Sequence, residues 1–291
     1  MSSMSELKSR LHAASQTRQI TGAMYLLSTS RMKKAMRNID FNLDYMLKLR
    51  LTMKDILSKA KHNDLHNRFI EQQGEGVKLY IVITSDKGLC GSYNSDIVNL
   101  AVKELKENPD SILLSIGSKG SENFRSAGIV PDYEWCDMLT NPSLFMANDL
   151  AETIIDLYKL HEVNEAYVVY TEYHSVSERT PVIKRLLPLL RRDFLDIEYE
   201  YKYNAIPIYE PSATEVFDKL VPHYIKGFMY DVFMQSATSE NCARMEAMQS
   251  ATDNADKMID DLTKKINAER QLSITNEIIE ISSAIDISGA V

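Results

Sequence analysis

Residues that break helices are concentrated in the middle of this chain, and only Gly22 and Gly289 lie outside residues 74–227. All eight prolines lie between Pro109 and Pro222, and eight of the ten glycines lie between Gly74 and Gly227. Because proline and glycine disfavour helix interiors, the two ends can form long helices and the middle must hold the turns. This placement divides the chain into an N-terminal coiled-coil helix, a central α/β domain and a C-terminal coiled-coil helix, at residues 1–75, 76–205 and 206–291.

Both ends carry an apolar stripe at alternating steps of three and four residues, which is typical of coiled coils. The C-terminal stripe changes phase after Ile266, and the N-terminal repeat is not recognisable before Met32. The C-terminal positions are Met245, Met248, Thr252, Ala255, Ile259, Leu262 and Ile266, then Ile274, Ile278, Ile281 and Ile285. The N-terminal positions are Met32, Met36, Ile39, Leu43, Met46, Arg50, Met53, Leu57 and Ala60.

The charges of the two ends are complementary. Residues 1–60 hold 11 Lys or Arg against 4 Asp or Glu, whereas residues 240–291 hold 5 against 10. Segments of opposite charge suit a side-by-side arrangement, so the ends are expected to form one long antiparallel coiled coil. The net charge of −8 argues against a nucleic-acid binder.

The middle alternates short apolar runs with helical patterns. Strands are expected at VKLYIVIT, SILLSIG, IVPDYEW and AYVVYTEY, with TPVIKRLLPL and IEYEYKY at a sheet edge. Asn141 and Pro142 resemble the N-cap and first position of an intervening helix. Alternation of this kind predicts an α/β fold with a Rossmann-like, mostly parallel open sheet, flanked by the long antiparallel coiled coil.

Cysteine content and hydropathy indicate the compartment. The three cysteines share no metal-like spacing, which favours a reducing cytosol. No apolar run approaches the roughly 18 residues needed to span a bilayer, and MSSMSELKSRL has neither a signal core nor a transit-peptide character. Membrane contact is therefore expected only through partners.

The turn SDKGLCGSYN, residues 85–94, follows the first strand where some α/β proteins bind phosphate. It matches neither GxGxxG nor GxxxxGK[ST], so a mononucleotide site and a tight structural turn remain alternatives. Cys90 has no histidine nearby in sequence, and His62 with His66 forms only a weak potential metal pair. No catalytic residue, metal site or cofactor is predicted.

Several segments, in order along the chain, resemble the gamma subunit of F-type ATP synthases. They are LKSRLHAASQTRQITGAMYLLSTSRMKKA, ITSDKGLCGSYN, IGSKG, NPS, YEPS and ENCARMEAMQSATDNADKMIDDLTKKINAERQLSITNEIIEI. Gly22 stands where that family usually has Lys, Ser92 where it has Gly, and Pro207 where an aromatic residue is common. The chain is identified as a member of the family despite these differences.

The resemblance implies a non-catalytic central-stalk rotor. Ion flow would turn a ring of c subunits together with this chain, whose asymmetry would drive ATP synthesis or hydrolysis at the catalytic sites of other subunits. The implied partners are three alpha and three beta subunits, the epsilon subunit and the c-ring, on the cytoplasmic side of the plasma membrane as a peripheral protein. A coiled-coil adaptor and a nucleotide-binding α/β protein remain the alternatives.

The resemblance also assigns roles to residues. It places Asp86, Lys87, Gly88 and Gly91 in a structural turn and Glu210 against the c-ring. The residues it assigns to contacts with the alpha/beta ring are Met24, Lys33, Lys34, Arg244, Arg270, Gln271 and Thr275.

The C-terminal stripe is thin in its first half, where Met, Thr and Ala stand in place of large branched apolar residues. This thin stripe has two compatible explanations. Small residues and methionines give a rotating shaft a smooth surface, or they fit a tight antiparallel seam.

Overall fold

The computed structural model describes most of the chain and separates it into two compact units. One unit contains the residues up to Ser28 and those from Arg244 onward, and the other contains Thr29–Ala243. The predicted strand IEYEYKY and the pair His62 and His66 lie outside the described residues. The described residues are 4–59, 68–70, 74, 76–160, 163–194 and 209–288.

Five α-helices, five strands and one short 3-10 helix (Arg191–Phe194) make up the described fold. The helices are α1 (Met4–Lys59), α2 (Tyr93–Glu107), α3 (Ser118–Ser126), α4 (Leu144–Lys159) and α5 (Ala213–Ser288). The strands are β1 (Lys78–Ile83), β2 (Ile112–Ile116), β3 (Tyr133–Trp135), β4 (Glu165–Tyr173) and β5 (Arg179–Leu187). None of the helices in these ranges carries an apolar segment that could cross a membrane.

The larger unit is built on one sheet with the order β3-β2-β1-β4-β5. Strands β1 to β4 run parallel, and β5 pairs antiparallel with β4 at the edge. The central β1 is buried along almost its whole length because helices cover both faces, which explains its unbroken apolar run. The predicted mostly parallel open sheet is confirmed.

Alternate residues of β1 contribute to two different hydrophobic cores. Leu79, Ile81 and Ile83 pack with side chains of α1, α4 and α5. Tyr80 and Val82 face the opposite way and pack with α2 and with Phe124 of α3. This alternation follows from the two-residue period of a strand and places a helical layer on each face.

The predicted start of one helix in this unit was wrong. Helix α4 begins at Leu144 and not at Pro142, because the Ser143 hydroxyl accepts a hydrogen bond from the Met146 N–H at 3.3 Å. Ser143 therefore caps the helix in place of Asn141. The strand predicted at IVPDYEW is confirmed, although only its last three residues form β3.

In the smaller unit, the start of α1 and the end of α5 form an antiparallel pair. Leu7 and Ala14 pack with Leu262, and the hydroxyl of Thr21 meets that of Thr252 at 2.7 Å. Residue numbers rise on one helix as they fall on the other, which confirms the antiparallel direction.

The heptad seam of α1 extends further than the sequence pattern suggested. The prediction that the repeat dissolves before Met32 was wrong, because Thr21 and Ser28, which are buried, continue it with hydroxylated side chains. Leu7, Leu11, Ala14, Arg18, Thr21, Tyr25, Ser28 and Met32 keep the same alternating steps of three and four.

Candidate functional site

The turn after β1 is closed by its own side chains. Asn94 accepts a hydrogen bond from the Ser85 amide at 2.9 Å and donates to the Ser85 hydroxyl at 2.7 Å. The Ser85 hydroxyl donates to the Lys87 carbonyl at 2.8 Å, and Cys90 is buried beside Asn94. A phosphate loop needs amide groups that point outward, whereas this turn uses its polar groups internally.

The residues that follow β1 and β2 are closely packed against each other. Gly117, at a φ of +100°, lies so near Thr84 that an added Cβ would overlap the Thr84 carbonyl oxygen. A Cβ at Gly120 would overlap the Thr84 side chain. Asp86 accepts hydrogen bonds from the Ser118 amide and hydroxyl at 3.2 and 3.3 Å, which ties the turn to the start of α3.

Helix α5 covers the place where an open α/β sheet usually binds its ligand. That place is the crevice beyond the carboxyl ends of two strands where the strand order reverses, here between β1 and β4. Ser239 donates to the Thr171 carbonyl of β4 at 3.3 Å, and Tyr93 donates to the Ser236 carbonyl at 3.3 Å. Ser236, Thr238 and Ser239 are fully buried. The geometry therefore favours the structural turn over the mononucleotide site.

The predicted turn residues are thus brought together by the structure. Asp86 and Gly88 are half-buried, while Lys87 and Gly91 are exposed at the same bend. Gly91 has a φ of +59°, which a glycine adopts without a steric penalty. Across the described ranges, no cluster of three His, Cys, Asp or Glu could hold a metal ion.

The antiparallel pair of α1 and α5 has a narrow core held by polar contacts. Besides the Thr21–Thr252 pair, Arg18 forms an ion pair with Asp256 across the two helices. Met248 and Ala255 are 4% and 6% exposed, so their side chains face inward. This burial supports the tight-seam explanation for the thin stripe, because small inward residues let two helices approach closely.

Beyond this core, α5 is exposed on all sides from Arg270 to Ile281, and this stretch includes three of the predicted ring-contact residues. Arg270, Gln271 and Thr275 are all exposed, and the Thr275 hydroxyl donates to the Gln271 carbonyl at 2.8 Å. Ile274 and Ile278 are 49% and 60% exposed, although the sequence pattern predicted them in the seam. A run of exposed apolar residues beside Arg and Gln is typical of a surface that contacts another protein.

The remaining predicted contact residues are scattered. Met24 is half-buried, and Arg244 is only 7% exposed and interacts within the chain. Lys33 and Lys34 are exposed on α1, where Lys34 donates to Asn141 at 3.3 Å. Glu210 is exposed just before α5. No single site joins these residues.

A buried polar cluster at Asp231 was missed by the sequence analysis. Burial raises the pKa of Asp231, while its hydrogen bond from Gln235 at 2.7 Å and the charge of Lys184 act in the opposite direction. Lys184 is paired with Glu172 at 2.5 Å, and the Glu172 charge adds to the rise. A sequence signal existed, since Asp and Gln four residues apart share a helix face.

Comparisons with known proteins agree over nearly the whole chain. A family model described as ATP synthase matches residues 3–286. The ATP synthase gamma chain of Ruminiclostridium cellulolyticum is 40% identical over 287 residues, which is 96% of this chain and 96% of that protein. The ATP synthase gamma chain of Clostridium pasteurianum is 36% identical over 282 residues, again 96% of each chain.

Solved structures with a similar fold come from mitochondrial ATP synthases. A chain of the Euglena gracilis enzyme (OSCP/F1/c-ring) matches with a TM-score of 0.64 and 16% identity, covering 99% of this chain and 96% of that one. A chain from the central stalk and c-ring of the Tetrahymena thermophila enzyme matches with a TM-score of 0.58 and 22% identity, covering 80% and 99%. At these identities the likeness concerns the fold.

Proposed function

We propose that this chain, which belongs to the ATP synthase gamma-chain family, is the rotating central-stalk subunit of an F-type ATP synthase. The observation that carries the proposal is the exposed face of α5 at Arg270, Gln271 and Thr275. It continues from a helix pair that has its own buried core, so the exposed face is held by a rigid element. A rigid helix with an asymmetric surface can transmit torque to proteins around it.

The proposed partners are three alpha and three beta subunits around the helix pair, with the epsilon subunit and the c-ring at the other end of the stalk. The solved structures of similar fold are chains of assemblies that contain F1 with the c-ring or the central stalk with the c-ring. Lys33 and Lys34 offer positive charge to an acidic surface of the ring, where attraction needs no fixed geometry. Glu210 is proposed to face the c-ring.

The chain itself is proposed to be non-catalytic and to lie on the cytoplasmic side of the membrane as a peripheral protein. The closed turn at Ser85 and Asn94 and the crevice covered by α5 support the non-catalytic role, because the usual ligand positions of an α/β sheet are filled by the protein. Coupling would then depend on the shape and stiffness of the chain, with ATP synthesis or hydrolysis at sites on other subunits.

A tagged pull-down from the native membrane fraction tests the proposal. We expect two nucleotide-binding proteins, each in threefold excess over this chain, together with ATP hydrolysis activity. Removal of residues 272–291 should lower that activity, whereas removal of residues 289–291 alone should leave it unchanged and serves as the control.

Two outcomes would contradict the rotor. If the pull-down recovers the chain alone or as a stable dimer, the coiled-coil adaptor is favoured. Micromolar nucleotide binding by the isolated chain would favour the nucleotide-binding α/β protein.

A further inference from the structure

A cavity of about 360 Å³ opens beside the crossing of α1 and α5 in the larger unit. Apolar atoms form most of its wall. Its volume falls within the range of roughly 300–1,000 Å³ typical of small-molecule sites. The lining residues are Asn42, Tyr45, Leu144, His223, Lys226, Gly227 and Tyr230.

The close approach of the two helices fixes one wall of the cavity. Asn42 is buried and donates to the Gly227 carbonyl at 3.0 Å. A Cβ at Gly227 would overlap the sulfur of Met46 and crowd the ring of Tyr45. The helices therefore meet backbone to side chain at this point, and the space beside the crossing cannot be closed by a small shift of α5.

The polar groups of the cavity are cationic or can donate a hydrogen bond. Lys226 is half-buried and makes no ion pair within the described part of the chain, and His223 is exposed beside it. Leu144, which lines the cavity, is the first residue of the 16-residue helix α4, whose N-terminal end carries partial positive charge. A half-buried lysine that makes no ion pair favours an anion.

The rest of the wall favours an apolar body on the same ligand. Tyr45 and Leu144, which line the cavity, are 47% and 50% exposed, and Phe145, which follows Leu144 in the chain, is 73% exposed. We propose that this cavity binds a small amphiphile with one acidic head and an apolar tail, its head at Lys226 and His223 and its tail between Tyr45 and Leu144. The proposal is independent of the rotor function.

Calorimetric titration of the full chain with decanoate tests the site. We expect one decanoate per chain, with clearly weaker binding of the neutral decanol. Lys226→Met keeps the apolar stem and removes the charge, so it should weaken decanoate binding by about tenfold. The matched control is Lys219→Met on the exposed surface of the same helix, which should bind as the unaltered chain does.

A second variant keeps the test independent of the charge. Leu144→Trp places a larger side chain at the cavity and should abolish binding of both probes, with thermal unfolding measured to verify folding. Equal affinity for decanoate and decanol, or unchanged decanoate binding in either the Lys226 or the Leu144 variant, would overturn the proposal. Loss of binding once the chain is assembled with its partner subunits would assign the cavity to a partner protein instead.

Discussion

The hydroxyl oxygens of Thr21 and Thr252 lie 2.7 Å apart between the two helices of the smaller unit. Each hydroxyl also lies within hydrogen-bonding distance of a carbonyl of its own helix, Thr252 at 2.8 Å from Met248 and Thr21 at 3.2 Å from Arg18, so either hydroxyl can be the donor across the pair. A coiled coil normally places apolar side chains at such positions. The hydrogen bond fixes the register of the two helices where large apolar residues are lacking.

Removing one of these hydroxyls is expected to lower the free energy of unfolding more than removing both. Thr21→Val or Thr252→Val alone should destabilise the chain by about 1 kcal/mol, because the other hydroxyl loses its partner. The double variant should lie close to the unaltered chain, since two valines pack well in a seam. Thermal unfolding of the four proteins measures the coupling, and strictly additive losses would show that the pair contributes nothing as a pair.

Gly117→Ala is expected to destabilise the larger unit severely. The new Cβ would overlap the Thr84 carbonyl oxygen, and the φ of +100° adds strain. We expect a loss of about 3 kcal/mol or more in the free energy of unfolding. Gly128→Ala is the matched control, since Gly128 also has a positive φ, +80°, but open space around it, so its loss should be near 1 kcal/mol. Equal losses in urea unfolding would contradict the clash.

The Asp231 carboxyl makes stability depend on pH. Its pKa in the folded chain is raised above the ordinary 3.8, mainly by burial, so the folded chain binds the proton more tightly than the unfolded chain does. The contribution of this carboxyl to the stability of the chain is therefore greatest below pH 3.8. It is lost as the pH rises through the pKa of the carboxyl in the folded chain. At pH 7 the buried, ionised carboxylate therefore lowers the free energy of unfolding.

Asp231→Asn is accordingly expected to stabilise the chain at pH 7 and to change little at pH 3. Its amide oxygen can still accept the hydrogen bond from Gln235. The control is Asp260→Asn on the exposed surface of α5, which should be neutral at both values. Thermal unfolding across the pH range is the measurement, and a destabilised Asp231→Asn variant at pH 7 would contradict the buried-charge explanation.

Sequence patterns predicted the parts of the fold that depend on local periodicity. Strand β1, residues 78–83, is buried on both sides, so it appears in the sequence as an unbroken apolar run that is easily recognised. The seam of α1 before Met32 was missed because Thr21 and Ser28 are buried polar residues, whose role depends on the opposite helix. Likewise, Ser143 and Asn141 are both good caps, and only the backbone geometry selects between them.

Long-range packing was beyond the sequence analysis. The contact between Ser239 and Thr171 joins residues 68 positions apart and decides that the crevice of the sheet is covered. The fit of Gly117 against Thr84 likewise has no local signature. The candidate ring contacts came from the family resemblance alone, since exposed Arg270 and Gln271 look like ordinary surface residues.

Those two residues provide the most direct test of the rotor. Arg270→Ala combined with Gln271→Ala should leave the stability of the isolated chain within about 0.5 kcal/mol, because both side chains are exposed. ATP hydrolysis by the assembled complex should fall severalfold, since the variant loses polar contacts to the surrounding ring. Lys103→Ala on the exposed face of α2 is the control and should leave hydrolysis unchanged. Unaltered hydrolysis by the double variant would mean that this face of α5 does not transmit torque.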